Sequence, residues 1–316
     1  MSSAGDAARA EAQRADGRDG GNKGTASTTE NRGKRAEEYA QNAICGRPTA
    51  HTVVDGLSER YPMSRRPRGA ALIFAHSEFE DKALKPRPSA AHDAEIARAA
   101  FEALDFQPEV FFDLTKDELV RKLREVSQRD HSGCDALAVV FMSHGEVKAR
   151  NNMELVCAKD DRLPTKELWI NFTAERCPGL AGKPKLYFIQ ACRGPEVDKG
   201  VRMTRPAFGI PVQTDSIQED YVIPLHADQL VMWASYPGFP AFTSERKGIQ
   251  GSVFIHFLAE NLKNCASTSP RLSSILLKVT REVAVLYESE IDSQNPYHKN
   301  KQVPYIHSTL LREIYF

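Results

Sequence analysis

After Tyr61-Pro62-Met63 the chain alternates short apolar runs with amphipathic segments, and this alternation is the strongest constraint on its fold. Apolar runs of this length predict buried strands, and helices between consecutive strands predict a mostly parallel sheet. We therefore expect one α/β domain with about six strands flanked by helices. The predicted strands are Ala70–Ala75, Glu109–Asp113, Ala136–Met142, Lys185–Gln190, Leu230–Ser235 and Pro304–Thr309. The predicted helices are Asp93–Leu104, Asp117–Gln128, Thr165–Phe172, Ser252–Asn264 and Arg271–Glu288. A capping box formed by Thr115 and Glu118 is expected at the start of the second helix.

Two segments do not fit this pattern. Residues 1–50 contain Met1, Tyr39 and Ile44 as their only large apolar side chains, which are too few to form a core. We expect a disordered leader there, and not a helical adaptor domain. The stretch from Gly194 to Asp220 is polar, has no periodicity and contains three prolines. Such long loops inside a compact domain are usually functional or disordered.

Composition restricts the class of function. The 316 residues include 42 lysines and arginines and 42 aspartates and glutamates, so no excess of positive charge favours nucleic acid or an anionic membrane. Six cysteines are scattered without a C-x-x-C pair or zinc-like spacing, which predicts neither a disulfide framework nor a metal site. Because we find no secretory signal and no apolar membrane span, we expect a soluble protein in the reducing cytoplasm.

Cys192 and His144 each follow directly after a predicted buried strand. An unpaired cysteine is most often a small buried hydrophobe and a single histidine is most often structural, so neither residue is decisive alone. In open α/β sheets, however, catalytic groups gather beyond the carboxyl ends of the strands. If the two strands are parallel and close, the thiol and the imidazole converge. Gly145 then leaves a backbone N–H free to approach a substrate carbonyl oxygen.

The sequence Gln190-Ala191-Cys192-Arg193-Gly194, with Ser143-His144-Gly145 about 50 residues upstream, resembles the signature of the caspases. The resemblance covers the chain from about residue 60 to the C-terminus. It extends to Asp113-Leu114-Thr115, Asp130-His131-Ser132, Gly182-Lys183-Pro184-Lys185 and Tyr236-Pro237-Gly238. It implies the caspase-like fold and a cysteine endopeptidase that cleaves after aspartate, with a short leader similar to that of effector caspases. The plain alternative, an α/β binding domain with a buried thiol, requires these ordered matches to be coincidental.

The resemblance also implies a role for each residue of the site. Cys192 is expected to attack the scissile carbonyl, while the backbone N–H groups of Gly145 and Cys192 hold the oxyanion. His144 is expected to transfer the protons, and no metal or other cofactor is implied.

Arg87 and Gln190 match the family's pocket for the aspartate carboxylate. Without the resemblance, Arg87 is more simply an ordinary surface arginine. Ser89 and Ala90 stand where the family has a glycine and a hydroxyl residue, so the local pattern is imperfect.

A caspase is also expected to be made as a zymogen and cleaved after its own aspartates. Candidate processing sites are Asp215 and Asp220 in the long loop and Asp55 after the leader. They divide the chain into a prodomain at 1–55, a large subunit at 56–215 and a small subunit at 216–316. The last predicted strand leaves a sheet edge, and the resemblance implies that it pairs with its symmetry mate in a homodimer. Other implied partners are protein substrates, caspase inhibitors and paralogous caspases, in apoptosis or a related proteolytic cascade.

The loop after Tyr236-Pro237-Gly238 departs from the family's order of serine, aromatic residue and arginine. Counting forward from Gly238 keeps an aromatic residue at Phe242 but places Thr243 at the arginine position. Counting back from Ser252 instead places Arg246 there, with Glu245 in place of the aromatic residue. We favour the first count, since an aromatic wall suits an apolar substrate side chain. The first count predicts a weakened or altered preference for aspartate. It also leaves open the alternative that this protein is a catalytically weak caspase homologue, acting as a decoy or regulator of a true caspase.

Overall fold

The computed structural model describes residues 56–148, 153–199, 224–246, 248–265, 269–290 and 293–316, with only the backbone of Arg246. The strands are β1 (Ala70–Ala75), β2 (Gln107–Phe112), β3 (Leu137–Met142), β4 (Gly145–Lys148), β5 (Met153–Cys157), β6 (Arg162–Pro164), β7 (Lys185–Gln190), β8 (Gln229–Trp233), β9 (Thr243–Arg246), β10 (Ile249–Ser252) and β11 (Tyr305–Ser308). The α-helices are α1 (Ala90–Ala103), α2 (Lys116–Ser127), α3 (Val253–Cys265) and α4 (Leu272–Leu286).

Six strands form the main sheet in the order β11–β8–β7–β3–β1–β2. Every pairing in it is parallel except that of β11 with β8. The predicted α/β architecture, with about six mostly parallel strands flanked by helices, is confirmed. The predicted capping box is also present, because the Thr115 side chain accepts from the Glu118 N–H and the Glu118 carboxylate accepts from the Thr115 N–H.

Both faces of the sheet are covered, which is why its central strands are continuous apolar runs. Alternate side chains of β7 enter different cores: Leu186 and Phe188 pack with α1, α3 and α4, whereas Tyr187 and Ile189 pack with α2. This is the period of two expected of a strand. All six residues of β3 and all six of β7 are buried. The carboxyl ends of these strands are therefore held by a rigid platform.

One predicted helix is wrong. Residues 165–172 form two 3-10 turns, Thr165–Leu168 and Ile170–Phe172, and not an α-helix. Trp169 separates them with φ near −126°, and its ring packs edge-on against Tyr187 with centroids 6.0 Å apart. Tertiary packing of this large side chain overrides the weak helical pattern of a very short segment.

The other predicted elements are present, with bounds that differ by up to three residues at an end, the largest difference being the start of α1 at Ala90. Two small antiparallel sheets were not predicted. One has the order β4–β5–β6 and the other is the hairpin of β9 with β10. In the described part of the chain, no helix is long and apolar enough to cross a membrane.

Candidate active site

His144 and Cys192 are brought to the same place by the register of two neighbouring strands. Met142 at the end of β3 is the cross-strand partner of Gln190 at the end of β7. His144 and Cys192 each lie two residues beyond these partners, at the carboxyl edge of the sheet. The Ser143 N–H donates to the Gln190 carbonyl oxygen at 3.0 Å and extends the pairing to the site. The two strands are parallel neighbours, which is the condition that the prediction set, and both residues line one cavity of about 560 Å³.

The imidazole of His144 is held on two sides. Its Nε2 atom lies 2.7 Å from the backbone carbonyl oxygen of Lys85. Because a carbonyl only accepts, Nε2 carries the proton and Nδ1 is the free basic nitrogen. The ring of Phe79 packs against the imidazole with centroids 4.9 Å apart. Burial lowers the pKa of His144, opposed by the hydrogen bond to Lys85, while the charge of Arg87 lowers it further.

The thiol of Cys192 lies against the backbone of Ala241. The Ala241 N–H donates to Sγ at 3.4 Å, and Sγ lies 3.7 Å from the Ala241 carbonyl oxygen. Burial raises the pKa of Cys192, while the Ala241 N–H and the charge of Arg87 oppose that rise. The lowered pKa of His144 and the raised pKa of Cys192 both favour the neutral forms of the imidazole and the thiol. The thiol then needs a base to become a nucleophile.

Arg193, the residue after Cys192, anchors the loop that follows β7. Arg193 Nε donates to Glu154 Oε1 of β5 at 2.7 Å, and its guanidinium carbon lies 4.3 Å from the ring centroid of Trp233. These contacts bury Arg193 and tie the end of β7 to both β5 and β8. Cys192 is therefore placed by a rigid loop.

Gly145 lies where the chain has no room for a side chain. A Cβ at this position would lie 2.5 Å from the Cys192 carbonyl oxygen and 3.0 Å from Ala191 Cβ. The segment that carries His144 can therefore approach the backbone of Cys192 this closely only with glycine. The predicted use of the Gly145 and Cys192 N–H groups for an oxyanion is compatible with this approach, and it stays a prediction.

Arg87 is a buried cation and not a surface residue. Its side chain is 7% exposed; Nη1 donates to the His76 carbonyl oxygen at 2.9 Å, and Nη2 lies 3.8 Å from Asp93 Oδ2. Asp93 also accepts from the Ser252 N–H at 2.9 Å and from its hydroxyl at 2.6 Å. Arg87 is thus clamped between the loop after β1 and the β9–β10 hairpin.

Gln190 lines the same cavity and is 3% exposed. Its Oε1 atom has no hydrogen-bond partner among the described residues. A buried amide of this kind is suited to a polar group brought by a ligand. Arg87 and Gln190 together place one positive charge and one amide in the wall of the cavity that contains the thiol.

The substrate-binding residues predicted in and beside the β9–β10 hairpin do not all line the cavity. Thr243 lines the cavity, as do Glu245 and Gln250. Phe242 is not among the lining residues; it packs against Tyr287 and Tyr297, with ring centroids 5.8 and 6.4 Å away. Its predicted part in substrate binding stays a prediction. The Arg246 side chain and the processing sites Asp55, Asp215 and Asp220 lie outside the described structure.

Sequence reasoning missed three parts of this site. Lys85 acts through its carbonyl oxygen, for which side-chain chemistry gives no signal. Phe79 lies in a loop without periodicity. Asp93 was predicted only as the first residue of a helix. It is fully buried in the first turn of α1, and a buried acid normally has a partner such as an arginine.

Comparison with known proteins identifies the relatives of this chain. The family described as "Caspase domain" matches residues 68–315. Caspase-1 of Spodoptera frugiperda is 35% identical over 268 residues, which are 84% of each chain. Caspase drICE of Drosophila melanogaster is 36% identical over 270 residues, covering 84% of this chain and 75% of the relative. Caspase-3 of Bos taurus is 34% identical over 265 residues, covering 82% and 88%. The crystal structure of caspase-1 from Spodoptera frugiperda matches with a TM-score of 0.73 at 33% identity, over 84% of this chain and 98% of that one.

Proposed function

The chain belongs to the caspase family and is a cysteine-type endopeptidase, and from this premise we propose that it hydrolyses peptide bonds after aspartate in protein substrates, with Cys192 as nucleophile and His144 as acid and base. The observation that carries this proposal is the shared cavity, which is lined by Cys192, His144 and Arg87. A thiol and a base supply cleavage, and a buried cation supplies the recognition of a carboxylate.

In the first half of the reaction His144 Nδ1 takes the proton of the Cys192 thiol as Sγ attacks the scissile carbonyl carbon. The oxygen becomes an oxyanion held by the N–H groups of Gly145 and Cys192. His144 then gives its proton to the leaving nitrogen, the C–N bond breaks, and a thioester remains.

In the second half His144 takes a proton from water, which attacks the thioester carbon. The C–S bond breaks, the proton returns to Sγ, and the acid product leaves. The Lys85 carbonyl helps throughout, because it holds Nε2–H and favours the imidazolium that forms after each proton transfer.

Recognition of aspartate rests on Arg87 and Gln190. Arg87 retains its charge despite burial, and its nearest carboxylate, Asp93, lies 3.8 Å away. A substrate carboxylate can therefore compete for the guanidinium. Thr243 lines the cavity. In the count from Gly238 that we favour, it stands where the family has a second arginine. We accordingly propose a preference for aspartate that is weaker than two arginines would give.

A second candidate function follows from that replacement. A homologue with a weakened pocket could bind a paralogous caspase or a caspase inhibitor and act as a decoy or regulator. Thr243 favours this alternative, while the retained pair of His144 and Cys192 favours the enzyme.

We further propose that the enzyme is made as a zymogen, with prodomain 1–55, large subunit 56–215 and small subunit 216–316. Cleavage after Asp215, or after Asp220, would separate the subunits, and cleavage after Asp55 would release the leader. Mass spectrometry of the purified, active protein should find new termini at these aspartates. Termini elsewhere would refute the assignment.

The processed protein is proposed to form a homodimer through β11. Among the residues that the structure describes, this strand pairs only with β8 and forms the edge of the sheet, where a second strand can add. We place the enzyme in the cytoplasm, in apoptosis or a related proteolytic cascade. Sedimentation that shows only monomers after processing would contradict the dimer.

The decisive test is a panel of fluorogenic tetrapeptides that differ only at the cleaved position, with the full chain and its Cys192→Ala variant. We expect the aspartyl peptide to be cleaved fastest and the variant to have no activity. If the wild type cleaves none of the peptides but binds an active caspase, the decoy function is the better account. Unchanged cleavage by Cys192→Ala would refute the nucleophile.

A further inference from the structure

A second cavity, of about 380 Å³, lies at the opposite edge of the sheet from the active site. Arg60, Arg66 and Arg68 line it, together with Asp105 and Phe316. Arg68 lies two residues before the start of β1, whereas the active site lies beyond the carboxyl ends of the strands. A strand of six residues spans about 20 Å, so the two cavities are separate.

Arg68 is the unusual member of this cavity. Its side chain is 4% exposed, yet its guanidinium makes no hydrogen bond in the described part of the chain. Nε and Nη1 are enclosed without a partner, and Nη2 lies 3.9 Å from Asp105 Oδ2. Its guanidinium carbon lies 5.5 Å from the ring centroid of Phe316. An arginine stays charged in proteins, and buried charges are normally paired and hydrogen-bonded.

The neighbouring groups do not supply that pairing. Asp105 supplies the acidic side chain in the lining of this cavity. Its Oδ2 atom lies 2.6 Å from Arg66 Nε, so the negative charge of Asp105 is already paired with Arg66. Arg60 lies over the Tyr315 ring, 4.4 Å from its centroid. Three guanidinium groups thus line a space that contains one carboxylate side chain. The missing partner is negatively charged and rich in hydrogen-bond acceptors.

We propose that this cavity binds a small molecule with two or more phosphate groups, and that Arg68 forms its base. Guanidinium groups suit phosphate oxygens because they present several planar N–H donors. A ligand with several negative charges suits a wall with three guanidinium groups and one carboxylate side chain. The cavity is also within the size range of small-molecule sites, and larger than one phosphate requires.

The test is the thermal unfolding of the full chain with tripolyphosphate, with ATP, and with sodium chloride of the same ionic strength. A ligand that binds only the folded chain raises Tm in a saturable way. We expect both phosphates to raise Tm beyond the salt control. Loss of a charged hydrogen-bond partner in Arg68→Met should weaken the apparent affinity by about tenfold or more. Arg60→Gln, at the exposed rim, should weaken it less, and Arg98→Gln, on α1 outside the cavity, should not change it.

Equal increases in Tm with the two ligands would show that the phosphate chain suffices for binding. A larger increase with ATP would indicate an additional contact with its nucleoside. Both results support the site. No shift beyond the salt control overturns it. So does a shift that survives unchanged in both Arg68→Met and Arg60→Gln. If Arg68→Met does not fold, the comparison of Arg60→Gln with Arg98→Gln decides.

Discussion

The His144 Nε2 atom lies 2.7 Å from the Lys85 carbonyl oxygen, which leaves Nδ1 as the basic nitrogen in the cavity that Cys192 shares. Burial raises the pKa of the thiol and lowers the pKa of the imidazole. Both shifts favour the neutral forms, and in the proposed mechanism the proton moves from sulfur to nitrogen when substrate is attacked.

This pair predicts the pH dependence of the reaction. The base is lost when His144 is protonated, and its pKa lies below the usual histidine value. As pH falls, kcat/KM for an aspartyl peptide should therefore decline with a midpoint below about 6.5. The measurement is kcat/KM from acid to neutral pH, with Tm followed in parallel to exclude unfolding. A midpoint at or above 6.5 would contradict the lowered pKa of His144.

Gly145→Ala should impair catalysis through backbone displacement. A Cβ there meets the Cys192 carbonyl oxygen at 2.5 Å, so the two segments must move apart and the proposed oxyanion donors, the N–H groups of Gly145 and Cys192, lose their alignment. We expect kcat/KM to fall by about 100-fold or more, as when an oxyanion donor is removed. Gly133→Ala is the matched control, because a Cβ there meets nothing within 4 Å. Equal activities of the two variants would show that the close approach has no catalytic importance.

Arg87→Gln should remove most of the preference for aspartate. A buried charge partner is worth about 2 kcal/mol or more, which corresponds to a loss of roughly 30-fold in kcat/KM for the aspartyl peptide. Arg98→Gln changes a half-buried arginine of α1 that lies outside the cavity and serves as the control. Tm must be compared as well, because Arg87 also lies near the buried Asp93. Full retention of aspartate cleavage by Arg87→Gln would exclude Arg87 from the pocket.

Glu245 should discourage acidic residues beside the cleaved aspartate. It is exposed on β9 and lines the substrate cavity, so its carboxylate repels a second acid in the peptide. Neutralising an exposed charge of this kind is worth about 0.2–1 kcal/mol. Glu245→Gln should therefore raise kcat/KM for peptides with an extra acidic residue by up to about fivefold. Glu175→Gln, exposed and outside the cavity, should have no effect; identical specificity in both variants would rule out this role.

The strands of the main sheet could be predicted because burial on both faces leaves a continuous apolar run, as in β3 and β7. Cys192 and His144 could be placed because each directly follows such a run. The β4 strand, Gly-Glu-Val-Lys, is short and partly exposed, so no hydrophobic pattern marks it. The contribution of Lys85 comes from a backbone atom and depends entirely on how the loop after β1 folds.

The most direct test of the central claim is covalent labelling of the full chain with a peptidyl ketone that carries aspartate at the reactive end and an acyloxy leaving group. Intact-mass and peptide-mapping spectrometry should find one adduct per chain, on Cys192, and His144→Ala should slow its formation strongly. An adduct distributed over several cysteines, or formed on Cys192 at the same rate in His144→Ala, would contradict the account of a thiol activated by this histidine.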